Sequence, residues 1–267
     1  MVDGGTKTTE TSISITVAAL NEEQNLAQAV DIIVGSVQRW FDSYEIVIFN
    51  DGSSDRTGEV AEELAAKYDG LTVVHHERSQ CLGGVIRNGL ARARMEHYMW
   101  IDGKGATTKQ ALDSIFALCG QYDLIVPYPN NQSERPLIRQ LIARAFVILL
   151  NMLFRLNLRY YTHVVLCRTH QVRQFRIRTD SYAYQAEMLI KMIKSGCSYT
   201  QVGVPDRYDL PGRRTKAFKF NNVIRMFTFL TMTIWDVYIA RNSPRIATSD
   251  DQLQPVLRQE VVKERHH

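Results

Sequence analysis

Cysteine is scarce in this sequence, and no pair of cysteines is spaced to hold a metal. Cys81, Cys119, Cys167 and Cys197 lie far apart and form no C-x-x-C motif. That spacing argues against a structural zinc site or a disulfide framework and fits four reduced thiols. No continuous stretch reaches the roughly eighteen apolar residues of a membrane span. Residues 1–12 are polar and lack the apolar segment of a secretory signal. A cytoplasmic location, at most peripheral to a membrane, is therefore expected. No internal repeat is visible. Charge of one sign is not in large excess either: 32 Lys+Arg against 28 Asp+Glu leave +4. That balance argues against a generic nucleic-acid coat, and no nucleic acid is expected as a partner. A content of 45% hydrophobic and 9% aromatic residues excludes disorder as the main state. The 267 residues suit one large domain or two small ones.

The small net charge is a cancellation. Residues 1–132 carry 10 basic and 18 acidic side chains, residues 133–245 carry 19 and 6, and residues 246–267 carry 3 and 4. The back half is thus built to meet anions, either phosphate or an anionic membrane surface.

Apolar runs at 13–20, 45–49, 71–75 and 98–101 read as buried strands. Helical patterns at about 22–40, 56–67 and 83–94 separate them. Strands alternating with helices in this way predict βαβ units and a mostly parallel α/β sheet flanked by helices. In such sheets ligands gather at the carboxyl ends of the strands. Polar motifs follow the strands at those ends: Asn21-Glu22-Glu23, Asn50-Asp51-Gly52-Ser53-Ser54-Asp55, Ser79 to Gly84, and Asp102-Gly103-Lys104. Taken alone, the Asp51–Asp55 run is equally well a polar turn with a helix cap.

As an ordered series the motifs resemble family 2 glycosyltransferases of the GT-A fold, most closely the branch of dolichol- and polyprenyl-phosphate sugar synthases. The resemblance covers residues 13–116 firmly and 133–230 more loosely. It implies a nucleotide-sugar-binding half over 13–132 and an acceptor-binding half over 133–241, between a leader (1–12) and a tail (242–267). Ala19, Leu20, Asn21 and Glu22 then match the nucleotide-binding turn, with Ala18 and Leu20 where Pro and Tyr are usual. Asp51 matches the carboxylate that accepts hydrogen bonds from the base, and Asn50 replaces a frequent second Asp. Gly83 and Gly84 let the backbone approach the nucleotide, and Arg87 holds diphosphate.

The resemblance also implies Mg²⁺ or Mn²⁺ on the donor diphosphate, held by an Asp-x-Asp motif. Here Asp102 keeps the first position, but Lys104 and Ala106 replace further ligands. One carboxylate beside an ammonium is a poor divalent site. At most Asp102 would touch a metal, and Lys104 is expected to face the leaving diphosphate instead. Glu187 matches the helix carboxylate at the reaction centre. Arg213, Arg214 and Lys216 resemble the loop that closes over diphosphate, and Arg207 is a further candidate. Arg135 and Arg139 are placed to position an acceptor phosphate. His163, alone on a strand-like segment, reads as a packed or hydrogen-bonded residue.

Two predicted helices, 137–158 and 223–239, mix large apolar side chains with arginines. Core packing, subunit packing in a homo-oligomer and interfacial docking on a membrane all fit that mixture. The expected activity is inverting transfer of a sugar from a UDP- or GDP-linked donor to an acceptor such as polyprenyl phosphate. The rivals are transfer to a hydroxyl, which needs Glu187 or Asp102 as base, and a nucleotide-sugar-binding scaffold without turnover. A nucleotidyltransferase is disfavoured, because no Gly-rich basic loop follows the first strand.

Overall fold

The computed structural model describes residues 11–179, 183–208 and 228–239. A seven-stranded sheet organises them, in the order β3-β2-β1-β4-β6-β5-β7. Strands β1 (Ser12–Ala19), β2 (Ser43–Asp51), β3 (Leu71–His76) and β4 (His97–Asp102) run parallel, as the alternating pattern predicts. Strand β1 is buried on both faces: Ile13, Ile15, Val17 and Ala19 line one, and on the other the buried hydroxyls of Ser14 and Thr16 are hydrogen-bonded to Glu45 and Tyr98. Helices α1 (Leu26–Trp40), α2 (Thr57–Lys67) and α3 (Cys81–Arg92) are the crossovers. The buried positions of α1, Leu26, Ala29, Val30, Ile33, Val34 and Val37, fall on one stripe at helical spacing.

A helix, a strand and a three-residue 3-10 turn, Gln132–Glu134, lie between 103 and 136, where the sequence pattern assigns none. Helix α4 (Lys109–Phe116) is only eight residues long, with Thr108 accepting from Ala111 N–H as its cap. Strand β5 (Leu124–Pro129) contains two prolines, which ordinarily argue against an interior strand. Register resolves this. The N–H groups of Leu124 and Asn130 donate to the β7 side, so Pro127 and Pro129 direct their missing donors to the other side. There the pairing with β6 ends at Ile125.

The back half joins the same sheet. Strand β6 (Leu166–Arg168) begins three residues after His163, so His163 stands just outside it; it runs antiparallel to both neighbours, while β7 (Tyr199–Val204) is parallel to β5. Helix α5 (Leu137–Phe154) stops four residues before the expected 158. Asn151 ends it: its side chain accepts from Leu158 N–H and donates to Leu158 C=O, folding the chain back after Arg155 adopts φ 51°. A four-residue helix, α6 (Thr169–Val172), and helix α7 (Tyr184–Lys194) follow. The expected helix 223–239 is described only over 228–239.

Helix α5 qualifies the expectation drawn from the absence of a long apolar run. By length and composition its 18 residues suffice to cross a membrane, and only 17% of it is buried. Leu137, Ile138, Leu141, Ile148 and Met152 are exposed, so core packing does not account for its apolar content.

Close packing of α3 on β1 yields a stability prediction. A Cβ at Gly89 would collide with the Thr16 side chain, whose hydroxyl lies 3.1 Å from the Tyr98 hydroxyl. Gly89→Ala is expected to destabilise the fold by about 2 kcal/mol through overpacking. Gly35→Ala, at an open helical position with no neighbour within 4 Å, should stabilise it by up to about 1 kcal/mol. Urea denaturation of both variants checks the pair.

Candidate active site

Register brings the motifs to one edge. Ala18 pairs with Phe49 on one side and Asp102 on the other, while Asp51 pairs with His76. Gly103 N–H donates to Ala18 C=O at 2.8 Å, closing the seam between β1 and the Asp102 loop. Because β6 is antiparallel, His163 just before it arrives at this edge too, and Asp206 arrives after β7.

The turns after β1 and β2 knit together. Asn21, at φ 56°, donates its N–H to Ser53 Oγ at 3.1 Å and accepts from Ser54 N–H at 2.8 Å. Glu22 N–H donates to Thr57 Oγ1 at 2.8 Å, and Glu23 accepts from Arg56 N–H at 2.9 Å. Asp55 caps α2 by accepting from Thr57 N–H at 3.0 Å. The Asp51–Asp55 run thus forms the polar turn at the start of α2 and joins it to the turn after β1. Ala19 is buried behind this turn and Leu20 is exposed on it.

Asp51 is buried and held by three donors: His76 Nδ1 at 2.8 Å, Gln80 N–H at 2.8 Å and Ser79 Oγ at 2.7 Å. Burial alone would push its carboxyl up; the bonds from His76, Gln80 and Ser79 outweigh that and hold it below the ordinary range. Gly52, at φ +74°, allows the contact, since a Cβ there would meet Ser79 N at 2.8 Å. Asn50 donates to His75 Nδ1 at 3.0 Å, and His75 Nε2 pairs with Glu62 at 2.8 Å. Sequence reading misses His75 and His76, while Ser79 and Gln80 belong to the Ser79–Gly84 run expected at this edge. The signal for the two histidines is register, because they stand beside Asn50 and Asp51 on the adjacent parallel strand.

A second group surrounds Asp102. Its carboxyl is raised, first by burial and also by Asp206, against the lowering effects of Lys104, Ala106 N–H and His163. Glu22 is likewise raised by burial, with Asn25 and Lys104 opposing and Asp102 and Asp55 adding to the rise. Lys104 is exposed, and its charge reaches both carboxylates. His163 is buried and bonded to Asp206 at 2.9 Å, which is the packed, hydrogen-bonded role expected for it. Arg207 N–H donates to Ala106 C=O at 3.0 Å, so the 205–207 segment lies along the Asp102 loop. Among the described residues no group of three or more His, Cys, Asp or Glu is arranged to hold a metal ion. The Asp-x-Asp position itself offers one carboxylate, Asp102, with Lys104 in place of the second, a pair that does not fit Mg²⁺ or Mn²⁺.

The remaining candidates spread outward. Gly83 and Gly84 are buried in the first turn of α3. Arg87, half-buried on the same helix, acts electrostatically on the Tyr184 hydroxyl, as does Glu187. Glu187 is 1% exposed and accepts from the N–H groups of Arg178 and Thr179 and from Lys191 Nζ at 2.6 Å. Lys191 also pairs with Asp236 at 2.8 Å, joining α7 to the 228–239 segment. Arg135 donates to Tyr160 at 2.8 Å, lies over the Tyr208 ring and is held above its ordinary value: burial opposes this, while Tyr160, Tyr208 and Asp206 favour the cation. Arg139 is half-buried on α5. Arg213, Arg214 and Lys216 lie outside the described residues.

The family model described as "Glycosyl transferase family 2" matches residues 14–177. Among curated proteins the chain is 23% identical over 246 residues to the glycosyltransferase AglD of Haloferax volcanii, covering 88% of this chain and 38% of that protein. It is 29% identical over 128 residues to a human dolichyl-phosphate beta-glucosyltransferase, covering 45% of this chain and 39% of the relative. The chain thus spans about two-fifths of the length of these relatives. Among solved structures, glucosyl-3-phosphoglycerate synthase from Mycobacterium tuberculosis, in complex with Mg²⁺ and uridine diphosphate, superposes with a TM-score of 0.63 at 16% identity. That likeness covers 83% of this chain and 80% of the other. It shows the fold, and the mostly parallel sheet flanked by helices is the expected GT-A arrangement.

Two measurements probe these environments. Glu187→Gln leaves the buried Lys191 short of a charged partner and is expected to cost about 3 kcal/mol in a urea melt. Because Lys104 opposes the rise of Asp102, Lys104→Met should move the ionisation of Asp102 to still higher pH. Carboxyl-carbon NMR titration reads that midpoint, and an unchanged or lower value would contradict the assignment.

Proposed function

The chain belongs to glycosyl transferase family 2, and from that premise we propose that it transfers a sugar, with inversion, from a nucleoside diphosphate donor to a polyprenyl phosphate with little or no help from a divalent ion. The observation that carries the reading is Lys104, exposed on the Asp102 loop at the carboxyl edge of the sheet, where its charge favours the ionised forms of Asp102 and Glu22.

The nucleoside rests on the Asn21–Glu22 turn and on Asp51. Its diphosphate faces Lys104 and Arg87, with Arg213, Arg214 and Lys216 as further cations supplied by the chain. As the bond from sugar to phosphate breaks, negative charge grows on the departing diphosphate. Cations already in place stabilise that charge without reorganising at the moment of reaction, which is the main electrostatic task of the transfer. The phosphate acceptor is already anionic at neutral pH, so its oxygen attacks without a general base. Glu187 fits this scheme as a positioning residue: its carboxylate is engaged by two backbone N–H groups and an ammonium.

Two features support a lipid-linked acceptor. Arg139 and Arg144 flank the exposed apolar side of α5, the pairing expected of a helix at an anionic bilayer surface. Arg135, at the entry to that helix, is oriented by Tyr160 beside Asp206. The human relative is named for a dolichyl-phosphate acceptor, which agrees in chemistry. A hydroxyl acceptor is the second reading, favoured by the raised carboxyl of Asp102, a suitable base.

A transfer assay with polyprenyl phosphate in anionic vesicles and a panel of nucleoside diphosphate sugars tests the proposal. The protein is expected to co-float with the vesicles and to keep its activity in excess EDTA. Lys104→Ala should lower the rate by about 100-fold. Activity abolished by EDTA and restored by Mn²⁺ would overturn the metal-independent part, and transfer only to hydroxyl acceptors would overturn the choice of acceptor.

A further inference from the structure

A carboxylate offers about four acceptor positions, two on each oxygen. In Asp51 three are taken within the protein. Oδ1 accepts from His76 Nδ1 and from Gln80 N–H, and Oδ2 accepts from Ser79 Oγ. Oδ1 is therefore filled, and one position remains on Oδ2.

The donors are themselves fixed. The His76 side chain is 8% exposed and packs beside Phe49, with ring centroids 5.5 Å apart. Asn88 Nδ2 lies 3.4 Å from His76 Nε2 and donates to Gln80 Oε1 at 2.9 Å. An amide nitrogen only donates, so Nε2 is the side of the ring that faces a donor. Nδ1 then carries the proton directed at Asp51. Ser79 is held close by the turn at Gly52. The arrangement runs Gln80–Asn88–His76–Asp51 and closes on itself, because Gln80 N–H also binds Asp51.

We propose that this closed ring of hydrogen bonds selects a base presenting one ring N–H between two carbonyl oxygens, as uracil does, and rejects guanine, with His76 as the residue that sets the selection. The inference rests on the reading of Asp51 as the acceptor for the donor's base. The single N3–H of uracil needs one acceptor, which Oδ2 retains. Guanine presents its N1–H and its 2-amino group side by side, a pair that a carboxylate satisfies by offering both oxygens. With Oδ1 filled, one of those donors is left unpaired, and an unpaired donor at a desolvated contact is a strong basis for rejection. Cytosine and adenine place a bare ring nitrogen opposite the carboxylate, lone pair against lone pair.

Titration calorimetry of the full chain with UDP, GDP, CDP and ADP, with and without Mg²⁺, tests this. UDP is expected to bind about tenfold or more tightly than the other three. His76→Phe keeps a ring against Phe49 but frees a position on Oδ1, so the preference for UDP over GDP should fall by about tenfold. His76→Asn places an amide nitrogen near the Nδ1 position and should restore the preference. If His76 were only a packing residue, His76→Phe would weaken all four nucleotides together and leave the ratio unmoved, which overturns the proposal. GDP binding to the unaltered chain as tightly as UDP also overturns it, while leaving the nucleotide-sugar reading intact. Failure of every nucleotide to bind would overturn that reading itself, and this inference with it.

Discussion

The pairing of β1 with β2 on one side and β4 on the other is the constraint on which the rest depends. Ala18 has Phe49 and Asp102 as its partners at once, so the two outer strands end level with the central one. A side chain placed one residue past any of these strands is then within reach of the others. A slip of one residue along β1 would turn its buried side chains to the opposite face and separate the polar turns. The chemistry at this edge is thus a by-product of a register fixed by apolar packing, with Ile13, Ile15 and Val17 almost wholly buried.

Charge is distributed to match. Of the acidic side chains at the edge, Asp51 is held ionised by its hydrogen-bond donors, while burial raises the carboxyls of Asp102 and Glu22 against the opposing charge of Lys104. Lys104 stands exposed on the loop beside Asp102 and Glu22.

Much of this was legible in the sequence. The four parallel strands, the crossovers and the motifs at strand ends follow from apolar periodicity and turn chemistry, and the replacement of a carboxylate by Lys104 was visible as a departure from a pattern. The misses have distinct physical causes. Strand β5 was hidden by prolines that a free side of the ladder tolerates. The end of α5 depends on a side chain, Asn151, binding backbone seven residues later. His76 and Asp206 belong to the site through contacts between residues 25 and 43 positions apart, with Asp51 and His163 respectively, which local pattern does not encode. The buried state of Glu187 likewise comes from backbone N–H groups of the preceding loop.

One feature of the back half has a mechanical meaning. The chain leaves the sheet after β5, runs out through α5 and returns at β6, and both feet of that excursion stand on Asp206. At the outgoing foot Asn131 exchanges two hydrogen bonds with the backbone of Asp206; at the returning foot His163 binds its carboxylate. Residue 206 is in turn bridged to Thr107, on the loop that begins at Asp102. Asp206 thus ties both ends of that excursion to the loop that carries Lys104, while Asn157 and Arg159 fasten its returning arm to β7 through Gln201.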